Sequence, residues 1–172
     1  PYVQNTLEWT HWLKTIAGLR FDRFNFKVDS DNPLNSGRAR DSMASPKLSL
    51  VLGPWARTEF FANWGRGFHS NDARGTTITV DPASGAAAQR VDPLVRTRGE
   101  EIGVRTQPAK ALTTSLALWR LEQASELLFV GDAGTTEASR PSRRTGLEAL
   151  AQYDPRPWLS FDASLAFTRA RF

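Results

Sequence analysis

Residues 158–172 read Trp158-Leu159-Ser160-Phe161-Asp162-Ala163-Ser164-Leu165-Ala166-Phe167-Thr168-Arg169-Ala170-Arg171-Phe172. Leu159, Phe161, Ala163, Leu165 and Phe167 fall on one parity; Ser160, Asp162, Ser164 and Thr168 fall on the other. Successive side chains of a strand point to opposite faces, so this period of two predicts a strand with one apolar face. The stretch follows the tight turn Arg156-Pro157-Trp158. Two more turns carry a Trp, at His11-Trp12-Leu13 and Gly53-Pro54-Trp55, and Gln107-Pro108-Ala109-Lys110-Ala111 takes a corresponding place without one.

Working outward, the alternation predicts seven more strands. They run at about Tyr2–Thr10, Lys14–Val28, Pro46–Leu52, Thr58–Phe68, Val95–Thr106, from Leu112 past Trp119 towards Val130, and Arg144–Tyr153. In the second, Leu19 and Phe21 share a parity that Phe24, Phe26 and Val28 do not. That slip predicts a bulge, or emergence from a membrane where the facing rule relaxes. Asp29–Ala44, His69–Leu94 and Gly131–Ser142 carry loop chemistry, and Thr76–Val80 reads as a small ribbon within the second of these. Glu122–Val130 is the best helical stretch and is short, so all-antiparallel β is the economical reading.

The connections alternate between short turns and long polar loops. Trp9, Trp12, Trp55, Tyr153 and Trp158 gather at the short-turn side, while Trp64 and Phe68 approach the other. Several strands reach the roughly 10 residues of a tilted membrane crossing. Glu8, Arg20, Lys47, Glu59, Glu101, Arg105, Glu148 and Asp162 oppose the apolar parity, as side chains facing a polar lumen would. Glu100, which shares the parity of Ile102 and Val104, is expected beyond the bilayer near the long-loop end. Together these predict a transmembrane β-barrel wall of about eight meandering strands, with short periplasmic turns and long extracellular loops.

Composition sets outer bounds. The chain has 172 residues, 40% of them apolar, with no cysteine and a net charge of +4. No stretch approaches the roughly 20 apolar residues of a membrane helix. Without cysteine, disulfide frameworks and Cys-based zinc sites are excluded. The cations are scattered, with no dense basic helix, which argues against nucleic acid. The chain opens and stops inside strand patterns, so an internal piece of a longer protein is expected.

Five stretches resemble TonB-dependent outer-membrane receptors, in that family's order. Gly18-Leu19-Arg20-Phe21-Asp22 is similar to its "GLRYD" strand and Ser45-Pro46-Lys47-Leu48-Ser49 to its "SPK" strand start. Asn63-Trp64-Gly65-Arg66-Gly67-Phe68 resembles the "YGxGF" signature before a long external loop. Arg98–Arg105 and Arg144–Glu148 resemble the "E-x-G" and "GxE" strands. The resemblance implies that residues 1–172 are part of a barrel of about 22 strands filled by a plug, with the plug and the TonB-contacting N-terminal region outside this stretch. It implies a receptor of the bacterial outer membrane that imports a scarce ligand such as a ferric siderophore, in contact with membrane lipid and lipopolysaccharide.

Chemistry-bearing motifs are sparse. His11 and His69 are too few for a metal site. No nucleophile motif, phosphate loop or paired carboxylates stand out, so neither an enzyme nor a cofactor is expected. Asp29, Asp31 and Asp41 lack the spacing of a calcium loop. The candidate ligand-binding residues are Arg66, His69, Asn71, Asp72 and Arg74, with Arg140 and Arg143 from the last long loop. Arginine suits carboxylate or anionic siderophore groups, and the more ordinary reading is that these residues hold loops together or meet lipopolysaccharide phosphates. The alternatives are a passive porin, a small closed eight-stranded barrel, or a soluble β-sandwich that binds glycans.

Overall fold

The computed structural model describes residues 1–125, 127–130, 135–138 and 140–172. The strands are β1 (Tyr2–Thr10), β2 (Leu13–Val28), β3 (Gly37–Trp55), β4 (Thr58–Ser70), β5 (Leu94–Ala109), β6 (Leu112–Gln123), β7 (Leu127–Val130), β8 (Thr135–Ala138), β9 (Ser142–Arg156) and β10 (Leu159–Arg171). Eight form one antiparallel meander in the order β1-β2-β3-β4-β5-β6-β9-β10, and β7 pairs with β8 in a separate hairpin. Among the described residues β1 pairs only with β2, and β10 only with β9, so both edges of the sheet are open. The closed eight-stranded barrel is not what forms.

Residues paired across strands share a face, and the register resolves the two faces. Ala62, Ile102, Leu118, Leu147 and Phe167 lie on one line across five strands. The next line towards the short turns is Phe60, Val104, Leu116, Ala149 and Leu165. On β2 and β3 the same face carries Ala17 against Leu48 and Leu19 against Pro46. The opposite face carries Glu59 against Arg105, Asn63 against Glu101 and Gln152 against Asp162. Asn63 Nδ2 donates to Glu101 Oε2 at 2.9 Å.

The buried apolar side chains among the described residues are Met43, Leu94, Val95 and Ala117. Meanwhile Ile102 is 59% exposed and Phe167 62%. A soluble domain does not leave so wide an apolar face to water, whereas a membrane wall needs one. No described helix is long and apolar enough to cross a membrane. The aromatic rim at the short-turn end forms as expected. Trp12 stacks on Trp55 with centroids 6.2 Å apart, and Tyr153 stacks on Phe161 at 6.4 Å.

The turn between β3 and β4 explains its own sequence. Gly53 adopts φ 117°, and a Cβ there would come within 2.6 Å of the Thr58 carbonyl oxygen, so only glycine fits. Gly146 has a different reason. Its missing side chain makes room for the Trp119 ring on the neighbouring strand, which a Cβ would meet at 2.5 Å.

Several boundaries differ from expectation. β3 begins at Gly37, so Gly37–Ala44, expected as loop, is strand. The bulge expected in β2 is absent: Leu13–Val28 pairs residue for residue with Gly37–Leu52. Phe24, Phe26 and Val28 instead occupy the inner face while Arg23, Asn25 and Lys27 look outward, which is the emergence alternative. β6 stops at Gln123, and Leu127–Val130 turns into the second hairpin. Glu126, in the weak helical stretch, and residues 131–134 and 139 of the last expected loop lie outside the described residues. Thr76–Val80 does not form a ribbon. Ala73–Thr77 is a helical turn, α1, and Val80 makes a lone bridge with Ala87.

Candidate functional site

The pairing of β3 with β4 ends at Lys47–Gly65, although both strands continue towards the long loops. Above that point Phe24 of β2 meets Phe68 of β4 edge-on at 5.5 Å. α1 packs against β2 and β3. The long segment between β4 and β5 is thereby drawn across the inner side of the β2–β3 hairpin.

Asn35 holds it there. This residue sits in the one-turn 3-10 helix Pro33–Asn35, started by Asn32, whose side chain accepts from Leu34 N. Asn35 is 7% exposed. Its Nδ2 donates to the Val80 carbonyl at 2.8 Å, and its Oδ1 accepts from Thr79 N at 2.9 Å and Val80 N at 3.0 Å. Thr77 Oγ1 donates to the Asn35 carbonyl at 2.9 Å. One side chain therefore joins two loops more than 40 residues apart in sequence. The sequence reading missed it, because nothing local distinguishes this asparagine from its loop neighbours.

The candidate residues divide by face. His69 is on the inner face, paired with buried Val95. Asn71 is 6% exposed, and its Nδ2 donates to the Asp92 carbonyl at 2.6 Å. His69 Nδ1 and Asn71 Oδ1 are buried without a hydrogen-bond partner among the described residues, and so are Trp119 Nε1 and Gln123 Oε1 of β6. Trp119 and Gln123 lie on the inner face. Their indole and amide were not singled out in the sequence, although their parity placed them there. Buried polar groups ordinarily have a partner, which sets these four atoms apart from their neighbours.

Asp72 and Arg74 engage each other. Asp72 caps α1, its Oδ1 accepting from Arg74 N at 2.9 Å, and Arg74 Nη2 donates to Oδ2 at 2.6 Å. The hydrogen-bonded Arg74 guanidinium holds the Asp72 carboxyl below the ordinary carboxylate range, against a smaller opposing effect of burial. A depressed folded pKa gives stability that is complete above the unfolded value and is lost as pH falls through the folded one. Amide protection across residues 73–78, corrected for intrinsic exchange, is therefore expected to stay constant from neutral pH to about pH 4 and to fall below it. Hydrogen–deuterium exchange measured over that range checks this.

Arg66 and Arg143 lie on the other face, that of the apolar rows. The Arg66 guanidinium carbon is 5.8 Å from the centre of the Trp64 ring, and Arg143 Nε donates to Glu122 Oε1 at 3.0 Å. Arg140 is exposed just before β9. The candidates thus form no single cluster. His69 and Asn71 line the inner side, Asp72 and Arg74 brace the loop, and Arg66 and Arg143 look outward. No group of three or more metal-binding side chains occurs among the described residues.

A family model described as "TonB dependent receptor-like, beta-barrel" matches residues 1–172, the whole chain. The chain belongs to the TonB-dependent receptor β-barrel family. Proteins of this family are β-barrels of the bacterial outer membrane, so the short turns of this wall are periplasmic and its long loops extracellular. Solved structures agree on the fold. The FrpB iron transporter of Neisseria meningitidis superposes with TM-score 0.71 at 18% identity, covering 99% of this chain and 25% of its own. The copper transporter OprC gives 0.72 at 17% identity, covering 99% and 29%. The alcaligin outer-membrane receptor FauA of Bordetella pertussis gives 0.70 at 17% identity, again covering 99% and 29%. The chain therefore spans between a quarter and a third of the length of these solved structures. No functionally curated protein matches the sequence.

Proposed function

We propose that these 172 residues are one arc of a larger barrel, a receptor that takes up a scarce ligand of the ferric-siderophore class with energy delivered through TonB. The observation that carries the reading is the pair of open edges flanking a two-faced sheet. Unpaired edge groups and a wide apolar face are unsatisfied in a lone segment and satisfied by further strands and lipid. The inner face then looks into a lumen wide enough to hold a plug and pass a ligand. In this reading the TonB contact is made by an N-terminal region outside the stretch. Ligand contacts come from the inner side, with His69 and Asn71 nearest the mouth and Trp119 and Gln123 behind them. Asp72 and Arg74 shape the loop that carries Asn71. The named activities of the FrpB iron transporter and the copper transporter OprC favour a metal or metal chelate as cargo.

Uptake of radioactive iron as the host's own siderophore complex, with and without the gene, tests the proposal. The expected result is uptake that needs the gene and stops when the proton gradient is collapsed. Uptake that persists without the gradient would make the protein a passive pore, and gene-independent uptake would remove the cargo assignment.

A further inference from the structure

The wall opens a cavity where β3 and β4 part. Beyond Lys47–Gly65, residues 37–46 run in register with β2 and residues 66–70 with β5, and the two stretches do not pair with each other. The edge-on contact of Phe24 with Phe68 spans this seam. The cavity there measures about 570 Å³, and its lining includes Arg20, Phe24, Ser45, Lys47, Gly67 and Phe68. Register puts the polar members on the inner face. Arg20 lies opposite Ser45, and Lys47 lies opposite Gly18 on one side and Gly65 on the other.

These polar groups are unequally engaged. Arg20 Nε and Nη2 donate to Asp22 Oδ1 at 2.9 and 2.8 Å, so that cation is already answered. Arg66 also borders the cavity, but its guanidinium carbon is held 5.8 Å from the centre of the Trp64 ring. Lys47 has no hydrogen bond or ion pair among the described residues. Ser45 Oγ is buried, and no hydrogen-bond partner is found for it among them. A Cβ on Gly18 would stand 2.6 Å from Lys47 Cε, so the lysine stem lies across that glycine, along the wall of the cavity. The seam thus brings together an unanswered ammonium, an unanswered hydroxyl and two aromatic rings.

We infer that this cavity is a binding site for an aromatic carboxylate. The carboxylate accepts from Lys47 Nζ and Ser45 Oγ, and the ring packs against Phe24 and Phe68. A hydrogen bond to an ionised group is about twice as strong as a neutral one, and aromatic rings gain from edge-on or offset contact beyond the area they bury. A simple inorganic or aliphatic anion gains only the first of these contributions. A neutral ring gains only the second and leaves the ammonium unanswered. The inference rests on the reading of the inner face as the ligand path, and it names one group that the cargo carries, an aryl acid.

Benzoate is the probe, with benzamide as the same ring without charge and acetate as the charge without a ring. Each is titrated by saturation-transfer NMR into the intact receptor, purified in mild detergent, with signal from detergent alone subtracted. The unaltered protein is expected to bind benzoate at least tenfold more tightly than either control. K47Q is expected to lose at least tenfold in benzoate affinity, K47R to stay within about threefold, and R105Q, lower on the inner face, to match the parent. Heat-modifiable gel migration confirms that each variant is folded. The comparison of the three probes uses unaltered protein only, so it decides the matter even where K47Q does not assemble. Benzoate held no better than benzamide or acetate, or a folded K47Q with the parent's affinity, would overturn the inference. Titration needs neither metal nor proton gradient. Gene-dependent uptake without benzoate binding therefore removes this cavity alone, while benzoate binding without uptake keeps the site and removes the transport reading.

Discussion

Leu116→Lys is expected to destabilise the folded wall by about 2–4 kcal/mol, the cost of a cation at the lipid midplane of a barrel. Leu116 lies between Val104 and Ala149 in the second apolar line. A lysine there cannot reach either rim without leaving its strand position, and no acid shares that line. Gln152→Lys is the matched control. Gln152 lies on the inner face opposite Asp162, where a new cation meets a carboxylate in a polar setting. Urea titration of the intact barrel in lipid, read by gel migration, separates the two. A control as damaging as Leu116→Lys would mean that the faces have been assigned the wrong way round.

Asn35→Ala is expected to release the loop between β4 and β5 while leaving the strands intact. The change removes three hydrogen bonds to the backbone of Thr79 and Val80. Each buried group left unsatisfied costs about 1–3 kcal/mol unless water reaches it. The loop is otherwise tied by Thr77 Oγ1 to the Asn35 carbonyl, by Thr79 Oγ1 to the Leu34 carbonyl at 2.6 Å and by the Asn71–Asp92 bond, so the loss falls on the loop and not on the eight-stranded ladder. Limited proteolysis should show new cleavage within residues 78–92 at unchanged thermal stability of the barrel. Cleavage identical to that of the parent would show that Asn35 is dispensable for the loop.

The part of the fold inside the membrane was legible, because lipid on one side and a polar lumen on the other impose a strict period of two. Outside it the rule lapses. Gly37–Ala44 reads as loop since its outward residues are Arg38, Arg40 and Ser42 and its inward ones include Gly37 and Asp41, so neither parity is apolar. The parity change in β2 has the same origin. Above Phe21 the outward residues are the polar Arg23, Asn25 and Lys27, while Phe24 stacks on Phe26 and meets Phe68 of β4 on the inner side. Thr76–Val80 looks like strand by its β-branched content. The Asp72 cap and the Asn35 bonds give its backbone other partners, and such tertiary demands override propensity.

The Asn35 link carries a lesson for exchanging recognition segments between receptors. The Asp29–Ser36 connection and the segment from Asn71 to Pro93 share one polar core, in which Asn35 Nδ2 donates to the Val80 carbonyl and Asn35 Oδ1 accepts from Thr79 N and Val80 N. They behave as a single cassette. Transplanting either alone leaves a buried amide facing an incompatible backbone, so a successful chimera moves both, together with the strand ends that set their spacing.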